Sequence, residues 1–138
     1  DSVAEYVKKQ GLKYCPFAGK VSKSPSILEG TVEEMLAQEA AFAEKGVFGT
    51  DLLGYRYVDG DPTELSAEYI RKAKTPVVLA GSIGSEERME LVKEMNPWCF
   101  TMGSALFTKN FVKEGSFRDN LVYVVGFLKY LGIEDAVA

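Results

Sequence analysis

Two stretches decide how this chain reads: Pro76-Val77-Val78-Leu79-Ala80-Gly81-Ser82-Ile83-Gly84 and Cys99-Phe100-Thr101-Met102-Gly103-Ser104-Ala105-Leu106. Each is a short apolar run that ends in a Gly-Ser pair. Between them, Ser85-Glu86-Glu87-Arg88-Met89-Glu90-Leu91-Val92-Lys93-Glu94-Met95 has the spacing of an amphipathic helix. Strand, small-residue turn, helix, strand and second small-residue turn make a βαβ unit, with both turns on one edge of a parallel sheet. Glycine lets the backbone approach a ligand closely, and the exposed N–H groups of such turns cradle anions. The expected anion site is Gly81, Ser82, Gly103 and Ser104, and the expected anion is a phosphate. Without a ligand, the same glycines serve only as tight βα turns.

Working outward, Ser2–Gln10 reads as a short helix with Val3, Tyr6 and Val7 on one face, stopped by Gly11. Leu12–Phe17 reads as a strand that Pro16 makes irregular. Residues 18–30, rich in Gly, Ser, Lys and Pro, read as a loop. Thr31 and Glu34 form a capping box for a helix to Lys45, with Met35, Leu36, Ala40 and Phe42 or Ala43 inward. A strand follows over Gly49–Gly54. Asp61-Pro62-Thr63-Glu64 starts the next helix, with an Asp cap and Pro in the first turn. Ser116-Phe117-Arg118-Asp119 starts the last one, which packs Leu121, Val124, Val125 and Leu128.

Short strands alternating with helices define an α/β fold with a parallel sheet. The A-G-S-I-G and T-M-G-S-A-L pair resembles strands seven and eight of phosphate-binding (β/α)8 barrels, also called TIM barrels. These include the ribulose-phosphate epimerase, sugar-phosphate epimerase, and histidine- and tryptophan-biosynthesis groups. The resemblance implies a phosphate held between the last two loops, with a short extra helix from residues 106–113. About four βα units match strands five to eight. A whole barrel needs ~200 to 250 residues, and this chain has 138 without an initiator Met. Residues 1–138 are therefore expected to be one incomplete barrel-type domain: a fragment, an engineered half or one subunit of a split protein.

The candidate chemistry follows from that placement. Asp51 lies within an apolar strand, where a carboxylate is costly unless paired or used. It is a candidate general base or a partner for a lysine. Lys13 and Lys20 are candidate Schiff-base lysines, and Tyr55 and Arg56 are candidate substrate contacts. The structural alternatives are an Asp–Arg or Asp–Lys pair, packed tyrosines and solvated lysines. Arg88, Glu90, Lys93 and Glu94 read as a solvated helix face.

There is no histidine, so the chain supplies neither imidazole metal ligands nor Ser-His-Asp chemistry. No cofactor or metal is expected. The net charge of −4, without a basic run, argues against nucleic acid or a membrane surface as partner. Cys15 and Cys99 read as reduced buried thiols of a cytoplasmic protein.

The resulting expectation is a lyase or isomerase of phosphorylated sugars: an aldolase, epimerase or isomerase acting beside a carbonyl. The alternatives are a non-catalytic barrel that senses a phosphorylated metabolite and a half-barrel without activity of its own. An open half would pair with a copy of itself or with a missing N-terminal half.

Overall fold

The computed structural model describes residues 2–133. In chain order the elements are α1 (Ser2–Lys9), β1 (Lys20–Ser22), β2 (Ile27–Glu29), α2 (Val32–Glu44), β3 (Thr50–Leu52), a 3-10 turn at Gly54–Arg56, α3 (Pro62–Lys72), β4 (Val77–Leu79), α4 (Glu86–Met95), β5 (Cys99–Phe100), α5 (Ser104–Phe107) and α6 (Phe117–Tyr130). The strands β3, β4 and β5 form a parallel sheet with β4 in the centre. Thr50, Asp51 and Leu52 pair with Val77, Val78 and Leu79, and Val78 and Leu79 pair with Cys99 and Phe100. The strands β1 and β2 form a separate antiparallel ribbon.

This corrects the expected architecture. The described residues form a small α/β protein with two small sheets and no closed barrel, in place of a four-stranded barrel half. The missing strand is the Leu12–Phe17 segment. It runs beside β3, where the Tyr14 carbonyl accepts from Phe48 N, the Pro16 carbonyl accepts from Asp51 N, and Ala18 N donates to the Asp51 carbonyl. Proline has no N–H to give, so the ladder lapses in its middle and only a Phe17–Asp51 bridge survives. The segment expected as a loop contains the β1–β2 ribbon, whose Leu28 is fully buried.

The helix starts are set by local chemistry. Thr31 and Ser116 make full capping boxes with Glu34 and Asp119, while Asp61 and Ser85 cap α3 and α4 by accepting from the third helical amide. Strand alternation then sorts the two sheet faces. Thr50, Leu52, Val77 and Leu79 are buried, while Asp51 and Val78 are half-buried. The buried face meets Tyr69 of α3, whose hydroxyl lies 2.8 Å from Thr50 Oγ1. Burial pushes that hydroxyl's pKa up to about 12. Met35, Ile83 and Met89 complete the same core.

Two expected helix faces hold only in part. In α2 the buried positions are Val32, Met35 and Glu39, with Leu36 packed against the core and Ala40 exposed. In α6 they are Asn120, Val124 and Leu128, which leaves Leu121 and Val122 exposed. The Asn120 side chain is saturated: it accepts from Phe111 N and Val112 N and donates to the carbonyls of Val112 and Ser116. It holds the connection after α5 against α6.

Glu39 shows how a charged residue earns a buried site. Its Oε1 accepts from Lys74 N at 3.1 Å, Thr75 N at 2.9 Å and Thr75 Oγ1 at 2.7 Å. Those donors open the turn into β4, so α2 positions the central strand. Glu39→Ala leaves the half-buried amides of Lys74 and Thr75 without their acceptor and is expected to cost about 1 to 3 kcal/mol of stability in urea unfolding. Glu39→Gln keeps an acceptor and should cost less than half as much.

Candidate functional site

The turns after β4 and β5 both leave the C-terminal edge of the sheet and meet there in an open cleft of about 660 Å³. Gly81, Ser82, Ile83, Gly84 and Ser85 form one wall; Gly103, Ser104 and Ala105 form the other; Tyr55 lies at the base. The four residues expected to bind an anion are therefore brought together. The walls are tied across the cleft by Asn110, whose Nδ2 donates to the Gly84 carbonyl at 3.1 Å.

Gly81 is required by its conformation. Its φ of +117° lies outside the range that side chains tolerate, and a Cβ there would sit 3.1 Å from the backbone nitrogen of Tyr55. This close approach seats the 3-10 turn beneath the first wall. Tyr55 is buried, and its hydroxyl finds no partner among the described residues.

Arg88 belongs to the site. It stands one turn into α4, donates through Nη1 to the Ser82 carbonyl, and lies 4.6 Å above the Tyr55 ring. The sequence placed it on a solvated face. The signal that could have found it is its spacing, six residues after Ser82 and on the first turn behind the Ser85 cap. The amides of Ser82, Gly84, Gly103 and Ser104 meet no acceptor among the described residues. Asp61 and Glu87 also line the cleft, so its side chains carry two acids against one arginine.

The other expected residues lie elsewhere. Lys13 sits at the opposite, N-terminal edge of the sheet, with its ammonium 4.8 Å from the centre of the Phe48 ring and 5.2 Å from that of Trp98. Lys20 is exposed on β1 and lies 3.5 Å from Glu29. Neither lysine is gathered with Asp51, so an imine or proton-transfer pair is not assembled. Arg56 ends the 3-10 turn outside the cleft lining. Asp51 is on β3; one oxygen, Oδ1, is buried without a hydrogen bond. Burial raises its pKa above the usual carboxyl value. Burial likewise raises the Cys15 and Cys99 thiols, and Asp51 adds to both. The two cysteines are unpaired. No described helix is long and apolar enough to cross a membrane.

These features define a small α/β protein with an open, amide-lined cleft. Its fold is similar to that of a chain in the crystal structure of the Amycolatopsis orientalis BexX/CysO complex, with a TM-score of 0.52 and 20% sequence identity. The similarity covers 95% of this chain and 49% of the other, so this chain spans about half the length of the one it matches. No protein-family model matches the sequence. No curated protein matches it.

The expected membership of the phosphosugar-metabolising barrels is corrected together with the fold on which it rested. The four-stranded half is not formed, and the similar chain comes from a complex of two proteins. The lyase or isomerase reading, the metabolite-sensing alternative and the phosphorylated small molecule as partner go with it. So does pairing with a copy or a missing half, which presupposed an open half-barrel.

The raised pKa of Asp51 carries a sign. The folded state holds this proton more tightly than the unfolded chain, so stability falls as pH rises from the unfolded carboxyl pKa through the folded one. Above that window the loss is constant. Asp51→Asn is expected to stabilise the protein at pH 7 and to flatten that part of the stability–pH curve, read by urea unfolding at several pH values.

Proposed function

We propose that this chain is one component of a two-protein assembly, and that its Gly-Ser cleft receives the carboxylate-bearing end of an extended segment of the partner. One observation carries the reading: four unengaged amides, those of Ser82, Gly84, Gly103 and Ser104, meet Arg88 in one open cleft. Backbone amides of this kind bind oxyanions, and a guanidinium keeps further donors after giving one to Ser82. The two acids of the lining disfavour a dianion such as phosphate and leave a single carboxylate as the better match. An extended segment suits an open cleft, and Phe107, three residues beyond Ser104, is exposed, its ring centre 4.8 Å from that of Phe117 in a tilted pair. The likeness to a chain from a two-protein complex supports a protein as the source of the carboxylate. Two unpaired cysteines suit a reducing compartment, and the cytoplasm is part of this proposal.

The test is an amide-resolved NMR titration with trialanine, its C-terminal amide and inorganic phosphate. The free carboxylate is expected to shift the amides of Ser82, Gly103 and Ser104, and the amide form to leave them in place. Arg88→Ala should weaken the carboxylate about tenfold, the worth of one charge-assisted hydrogen bond. Phosphate binding more tightly than the peptide, or no movement at these amides, would overturn the reading.

A further inference from the structure

The sheet has a second face, opposite the helices, that the cleft does not use. Pairing places Phe17, Asp51, Val78 and Cys99 side by side across it. Phe17 is 51% exposed, and the other three are half-buried. The row is apolar except for one carboxyl. Asp51 Oδ1 is shielded from water and receives no hydrogen bond among the described residues. The titratable groups near Asp51 are Cys15 and Cys99, with Lys13 beyond Cys15 at the N-terminal edge of the sheet. The thiols lie close enough to sense the Asp51 charge, and Lys13 is engaged over Phe48 and Trp98. No described cluster of His, Cys, Asp or Glu is suited to hold a metal ion.

We propose that this face is a second protein-docking surface, and that its occupant presents a lysine or arginine among apolar side chains, the cation pairing with Asp51. The inference rests on the preceding reading only in taking the partner to be a protein. Its chemistry follows from the orphan carboxyl. A purely apolar occupant would seal Asp51 away from water with nothing to bond, whereas a cationic one reaches the carboxyl through its second oxygen, which is not shielded by the chain, and keeps the apolar contacts. A second copy of this chain is the wrong occupant. Face-to-face pairing would set two Asp51 carboxyls against each other, in molecules that each carry a net charge of −4. The arrangement also gives selectivity, because a segment with an acid at the central position meets a like charge.

The experiment is panning of a phage-displayed heptapeptide library on the whole protein, with counter-selection on Asp51→Asn. Unchanged NMR spectra away from β3 establish that this variant folds. The expected winners carry one Lys or Arg flanked by apolar residues and bind Asp51→Asn at least tenfold more weakly. They also slow alkylation of Cys15 and Cys99 by iodoacetamide, and they leave the amides of Ser82 and Gly103 unshifted. Winners without a cation, winners indifferent to Asp51→Asn, unprotected thiols or no enrichment would each overturn the proposal. Because the cleft amides are read separately, failure here leaves the carboxylate site standing, and failure there leaves this face standing.

Discussion

The placement of β4 between β3 and β5 is the constraint on which the rest depends. Parallel pairing on both sides of one three-residue strand fixes three things together. It puts both Gly-Ser turns on the same edge. It turns Leu52, Val77 and Leu79 toward the helices, where each buried aliphatic side chain is worth roughly 1.5 to 3 kcal/mol. It leaves Asp51 and Cys99 on the other face. So short a strand holds position because its start is anchored from outside the sheet, through the bonds from Lys74 and Thr75 to Glu39. Its end is anchored by Ala80 N, which donates to the Leu52 carbonyl at 2.8 Å.

The cleft is a consequence of how that edge is finished. Gly81 takes a conformation open to glycine, and Tyr55 packs beneath it. Arg88 closes the upper side by bonding back to Ser82, and Asn110 links the two walls. These contacts fix the loops while drawing on side chains and on carbonyls, so the amides stay free to serve a ligand. A loop whose amides were spent on its own turns would be as rigid and could hold no anion.

The sequence was most readable where structure is decided within a few residues. The capping residues Thr31, Asp61, Ser85 and Ser116 and the Gly-Ser turns depend on neighbours three or four positions away, and the helix starts and the βαβ unit follow from them. What escaped was decided at a distance. Glu39 reads as a solvent residue until the turn 35 residues later supplies its donors. Asn120 is buried because the Phe111–Val112 backbone needs its oxygen, and it takes the core position at the start of α6 while Leu121 is left exposed. The β1–β2 ribbon hid in a Gly-, Ser- and Lys-rich stretch because Leu28 is its one fully buried residue, with Val21 packed beside the core. The step from a βαβ unit to a barrel half failed at Pro16, where one missing N–H stops the outermost ladder. At the site, the four loop residues were legible as a group, whereas Arg88 needed the fold to bring it over Tyr55.

The two faces of the sheet assign opposite roles to polar groups. On the helix side Thr50 and Tyr69 satisfy each other, and that face is closed chemistry. On the other side Asp51 has no such partner, although its strand neighbours Thr50 and Leu52 are fully served. Folding alone gives no reason to keep a carboxyl there, since an apolar residue at the same position would escape the desolvation cost. Its presence is explained by a requirement outside this chain, and the half-buried row around it has the mixture of apolar contact and single charge that gives a docking surface specificity as well as adhesion.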